Sequence, residues 1–163
     1  RNEGSSYDGI RGSKHAIVFS PDSKRVAYGA LRAGKHVVVV RGVEGDGHEK
    51  SGGGTPVFSP DSKRFAYVQS AGAKAQVVVD ERAQEEFDEI VSSSLVFSPD
   101  SRRVAYLAAS GAKYFVVVDG VEGRQYDGFL LGGNLVFDNA KVLHTFAVQS
   151  REIVSLEVEM VQH

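Results

Sequence analysis

The chain has no cysteine, and only 4 of its 163 residues are proline. Without cysteine there is no disulfide and no thiolate metal site, and nothing in the composition selects a reducing or an oxidising compartment. Few prolines beside 18 glycines point to many turns and not to a proline-rich linker. No apolar run approaches the roughly 18 residues of a membrane-spanning helix. No signal peptide is visible, and the chain begins at Arg1 rather than Met, so a processed or truncated N-terminus is expected. The net charge of -2 lacks the basic excess of a dedicated nucleic-acid binder, so no nucleic acid is expected as a partner. No stretch keeps a 3.6-residue apolar period over three turns, so helix is expected to be nearly absent.

What is present is a repeat. FSPDSKRVAY begins at Phe19, FSPDSKRFAY at Phe58 and FSPDSRRVAY at Phe97, each 39 residues after the last. A period near 40 is the length of a propeller blade. Each unit opens with a short apolar stretch: AIVF, TPVF, SLVF and, in a fourth and looser copy, NLVF. A Ser-Pro-Asp-Ser turn follows in three copies, with Pro in the first central position that its fixed φ suits. Asp22, Asp61 and Asp100 are read as local caps of these turns. A second strand (RVAYGA, RFAYVQ, RVAYLA, LHTFAV) leads through a glycine-containing loop to a third (HVVVV, QVVVD, YFVVVD, EIVSLEV). The valine runs do not alternate with polar residues, which implies strands covered on both faces, as between neighbouring blades.

Fourth strands are expected at EEFDEI (85–90) and RQYDGF (124–129). Tyr7, Phe87 and Tyr126 in such segments would cover blade edges. The opening SSYDGI matches RQYDGF, and the chain ends on a third strand. The fold expected is therefore all-β: one propeller of four four-stranded antiparallel blades, over about 16–51, 55–91, 94–130 and 134–160, with strand 5–10 completing the last. Two chains exchanging terminal strands into an eight-bladed ring satisfy the pattern equally, so a monomer, a strand-exchanged homodimer and a fragment of a longer array are all open.

These repeats resemble the TolB-type, WD-repeat-like β-propeller repeat, usually F-S-P-D-G-K-x-I-A-Y. The resemblance implies a propeller and a binding role. Ser23, Ser62 and Ser101 replace the usual glycine, so a positive φ there is not required. The fourth copy, FDNAKVLHTFAV, lacks the proline and has a loop before its third strand read as two residues shorter, and Phe146 is read as its counterpart of Tyr28, Tyr67 and Tyr106, all expected to be stacked core aromatics.

Catalytic candidates are wanting. There is no G-x-S-x-G elbow, no P-loop and no G-x-G-x-x-G, so no enzyme is expected. The five histidines fall in no ligand spacing, and neither metal nor cofactor is expected. In the usual propeller order, one face carries Arg11, Lys14, His15, Arg32, Lys35, Lys74, Lys113 and Arg151, of which Lys35, Lys74, Lys113 and Arg151 recur once per blade. A ring of like charge attracts an acidic partner. The reading is a non-catalytic scaffold for a protein or peptide. One alternative is a small ligand or ion at the ring axis, near Thr55, Ser94 and Asn134. The other is a recently amplified or designed propeller without an evolved ligand.

Overall fold

The computed structural model describes residues 6–10, 17–40, 43–44, 56–130 and 134–160. All regular structure among them is strand, arranged as four antiparallel sheets. The first holds β1 (Gly9–Ile10), β2 (Ile17–Phe19), β3 (Val26–Arg32), β4 (Lys35–Val40) and β5 (Val43–Glu44), with β1 and β2 both paired to β3. The second runs β6 (Val57–Phe58), β7 (Phe65–Ala71), β8 (Lys74–Val79), β9 (Arg82–Phe87). The third runs β10 (Glu89–Phe97), β11 (Val104–Ser110), β12 (Lys113–Val118), β13 (Val121–Glu122). In the fourth, β14 (Gly128–Phe129) and β15 (Val136–Phe137) pair with β16 (Val142–Gln149), which pairs with β17 (Glu152–Glu159). This is the expected all-β architecture of four repeated blades.

Two-residue hairpins join the long strands. Ala33–Gly34, Asp80–Glu81, Asp119–Gly120 and Ser150–Arg151 all have positive φ at both central residues, the turn whose twist matches paired strands. The valine runs are buried on both sides, as their lack of alternation requires. In β12, Phe115 and Val117 join the core shared with the second sheet, while Val116 joins the core shared with the fourth. In β17 the pattern reverts to alternation, with Ser155, Glu157 and Glu159 exposed and Val154, Leu156 and Val158 half-buried. The last sheet is therefore covered on one face only.

The chain's segments between sheets correct the expected fourth strands. β9 pairs with β8, and after the single residue Asp88 the chain becomes β10 on β11 of the next sheet. Likewise Tyr126 bridges Tyr114 of the third sheet, while Gly128–Phe129 pair with β16 of the fourth. Each such segment is divided between two blades at its aspartate. The N-terminal segment follows the same rule. β1 pairs with β3 of the first sheet, and among the described residues no strand pairs with the outer edge of β17. The closure expected within one chain, strand 5–10 completing the last blade, is thus not formed by the described residues, because the half of that segment after Asp8 belongs to the blade that follows it.

A second correction concerns Phe146. In the fourth sheet Phe137 pairs with Leu143, six residues on, whereas Phe97 pairs with Val104, seven on. The shorter turn slips the register by one, and one residue of slip exchanges the faces. Thr145, opposite Leu156, therefore takes the place that Tyr106 holds opposite Val117. Phe146 is 46% exposed.

The repeated turns clasp neighbouring sheets. Within each turn the Ser59 hydroxyl, for example, donates to Asp61 Oδ1 at 2.6 Å and accepts from the Arg64 amide at 2.9 Å. Ser20 and Ser98 repeat both bonds. Between sheets, the Asp22 amide donates to Ser62 Oγ and the Asp61 amide to Ser101 Oγ, both at 2.9 Å. The serines that replace glycine do sit at positive φ: 59° at Ser23, 61° at Ser62 and 65° at Ser101. Left-handed backbone costs a non-glycine residue about 1–2 kcal/mol. A hydrogen bond of about 1 kcal/mol partly offsets it. Ser62→Gly is accordingly expected to leave stability within about 0.5 kcal/mol, while Ser62→Ala, which keeps the strain and loses the bond, costs about 1–2 kcal/mol. Urea unfolding of the two variants checks the order, and an alanine variant as stable as the glycine one would refute it.

Candidate functional site

Two ends of the stacked sheets carry polar side chains in repeated positions. At the hairpin end, an aspartate from each described segment between sheets caps the turn of the blade that follows. Asp8 Oδ2 accepts from the Ala33 amide at 2.8 Å, Asp88 Oδ2 from Gly111 at 2.7 Å and Asp127 Oδ2 from Ser150 at 2.8 Å. These caps explain why the segments retain Tyr-Asp or Phe-Asp: the aromatic packs inward and the carboxylate ties the next turn.

Lys35, Lys74 and Lys113 begin β4, β8 and β12 in one register, opposite Arg32, Ala71 and Ser110, and all three are exposed. The same place in the fourth sheet belongs to Glu152, opposite Gln149. Arg151 lies one position earlier, exposed in the turn itself at φ 68°. The row of cations is also interleaved with the capping aspartates. Lys113 Nζ lies 2.6 Å from Asp127 Oδ1. That ammonium first, and then the Ser150 amide, hold the Asp127 carboxyl below the usual carboxylate range. Lys35 and Lys74 form no ion pair with another described residue, so their charges face solvent.

Of the axial candidates, Ser94 and Asn134 are described, the first buried and the second exposed. Ser94 is 3% exposed, donating to the Val91 carbonyl at 2.6 Å and accepting from the Leu107 amide at 2.8 Å. Its hydroxyl fills the gap in the ladder where the β10–β11 register shifts between Val91 and Val96. Asn134 is exposed. His15 and Thr55, like Arg11 and Lys14, lie outside the described residues. No group of three His, Asp or Glu among the described residues is arranged to hold a metal ion. No helix of the described residues is long and apolar enough to cross a membrane.

The opposite end carries the Ser-Pro-Asp-Ser turns. Asp22, Asp61 and Asp100 are held below the ordinary carboxylate range, chiefly by the serine hydroxyl two residues earlier and then by the amide two residues later. A carboxylate depressed in the folded state contributes stability that is complete above its unfolded value, about 4, and lost as pH falls through the lowered folded value. The urea midpoint is therefore expected to drop below about pH 4. Replacing all three aspartates with asparagine should lower the midpoint at neutral pH and flatten that acid limb. A limb as steep as that of the wild type would assign it to other groups. Sequence reasoning found these aspartates but missed the bonds to the next sheet; serine in place of the usual glycine, three times over, was the available signal.

Tyr106 is fully buried. Its hydroxyl finds no partner among the described residues, and burial first, then the charges of Glu85 and Glu122, push its pKa up to about 12.

No family model matches the chain, and no curated protein does. Solved structures do. TolB from Acinetobacter baumannii superposes with a TM-score of 0.53 at 15% identity, over 94% of this chain and 45% of that one. The β-propeller domain of the Trilobed protease from Pyrococcus furiosus, described as having an open velcro topology, superposes with a TM-score of 0.54 at 12% identity, over 88% and 58%. The chain spans about half the length of these structures. At such identities the likeness is one of fold: the four sheets are β-propeller blades.

Proposed function

We propose that this propeller is a non-catalytic scaffold whose hairpin end binds a protein or peptide partner with an acidic segment. The observation that carries the reading is the placement of Lys35 and Lys74. They are exposed, in the same register of successive blades, and in no ion pair with another described residue. The strands behind them are locked into ladders and buried cores, so the charges are presented with little further ordering on binding. The axial reading has less support, since the Ser94 hydroxyl is already engaged with backbone.

The test is titration of a fluorescein-labelled Glu/Asp-rich peptide into the chain. Saturable binding that weakens with added salt is expected. A Lys35→Glu, Lys74→Glu double variant is expected to weaken it by at least about tenfold. Binding unchanged by the double charge reversal, or absent altogether, would overturn the proposal. A variant at the opposite end, Lys24→Glu, Lys63→Glu, should bind like the wild type.

A further inference from the structure

Each interface between sheets has a receiving and a covering half. In the third sheet, Leu95 and Phe97 are each 6% exposed, because the second sheet covers them. Arg64 from that sheet lies over the Phe97 ring at 5.3 Å, and Arg25 lies over Phe58 at 5.0 Å. The first sheet has the same receiving residues. Ile17 and Phe19 there are 49% and 65% exposed. Ser23 holds the strained φ of 59° that at Ser62 and Ser101 accompanies a bond from the preceding sheet. At the other end of the stack, the face of the fourth sheet that would cover a following blade exposes Val136, Phe146 and Ile153, by 43%, 46% and 63%, beside Ser155, Glu157 and Glu159 on the same face of β17. At the place of Phe146, the third sheet has Leu107, 1% exposed against the fourth.

We infer that these two faces meet between two copies of this chain, first sheet of one against fourth sheet of the other. Both halves of the interface are carried by one chain, and each continues the stacking already formed inside it. A patch that fits a different patch on an identical molecule assembles head to tail, closing into a ring when the rotation allows. One copy superposes on 58% of a propeller domain, so it forms an open arc, and two copies supply a complete ring with two identical interfaces. In that ring the Tyr7 segment of each copy lies along the outer edge of the other's β17. It follows there the pattern of Tyr126, whose amide and carbonyl bond Tyr114 at 2.8 and 3.0 Å. The inference is independent of the hairpin-end reading.

Light scattering over a wide concentration range tests it. The expected mass is twice 17.6 kDa. Phe19→Glu and Phe146→Glu should each give the mass of a single chain. Mixing those two variants should restore the doubled mass, because one copy keeps an intact fourth-sheet face and the other an intact first-sheet face. Ile153→Pro gives a milder check. Ile153 faces Val148 next to the Gln149–Glu152 pair that closes the hairpin, so its amide points to the outer edge, and proline there removes that donor together with the exposed isoleucine side chain. Circular dichroism confirms that each variant is folded. A wild-type mass of one chain at all concentrations would overturn the inference, as it would if a further blade or another protein covers these faces. So would a doubled mass that all three variants retain. Mass that climbs steadily with concentration would overturn the closed pair.

Discussion

Phe87→Ala is expected to cost about 3–5 kcal/mol, a large share of the roughly 5–15 kcal/mol that holds a domain of this kind folded. Phe87 is 1% exposed at the end of β9 and sits where the second and third sheets meet. Its ring meets Phe115 edge-on at 5.5 Å and Tyr106 at 6.2 Å, both at 65°. Truncation removes these contacts and leaves a cavity whose wall is backbone already fixed by ladders on both sides: Phe87 pairs with Ala75, and Glu89 with Ala109. Little collapse can fill it. The urea midpoint should fall sharply with an unchanged slope. Tyr126→Ala, at the half-exposed equivalent place, should cost clearly less. Equal losses would mean that burial at the second interface is not what distinguishes them.

Arg64→Ala is expected to cost about 2–3 kcal/mol. The guanidinium holds four partners: Asp80 Oδ2 at 2.7 Å through Nε, the Arg102 and Ser101 carbonyls at 2.6 and 3.3 Å, and the Phe97 ring. A charge-assisted bond contributes about 1.5–3 kcal/mol when well buried. Here Arg64 and Asp80 are 31% and 38% exposed, which reduces the ion pair, while the ring adds about 0.5–1 kcal/mol. Arg64→Lys should recover little, because an ammonium cannot reach a carboxylate, two carbonyls and a ring face together. Arg103→Ala should cost less, since its bond to Asp119 is longer, 3.4 Å. An Arg64→Ala variant within 0.5 kcal/mol of the wild type would sink this account.

Much of the fold was legible. Three near-identical motifs at one spacing announce blades, and valine runs without alternation announce strands covered on both faces. The same logic was available for β17, where EIVSLEVE does alternate and marks an end of the stack, but its similarity to the other third strands masked the difference. The register of the fourth sheet was hidden for a related reason. Its turn lacks the Ser-Pro-Asp-Ser frame, so only backbone pairing shows that Thr145, and not Phe146, faces inward. Segment 5–10 was recognised as a copy of 124–129, but its division at Asp8, which gives Gly9 and Ile10 to the first sheet, was not read, because that division depends on two sheets at once. The lysines were found from spacing. The aspartates that lie among them were given no role of their own, since no local pattern tells a carboxylate which turn it caps.

The clasp between Ser-Pro-Asp-Ser turns has a consequence for how the molecule comes apart. Each blade reads its predecessor through one backbone amide and one serine hydroxyl, a nearest-neighbour coupling of the kind that makes stacked repeats behave as a linear chain of units. The coupling runs from the first sheet to the second and from the second to the third. It stops there, because the fourth turn, Asp138-Asn139-Ala140, has no serine, and Asn139 turns back on the Lys141 and Val142 amides of its own strand. The fourth blade is thus joined to the others by side-chain packing and by the chain itself, without this clasp. Its hold on the third blade rests on the core that Leu135 and Leu143 share with Leu107 and Val116.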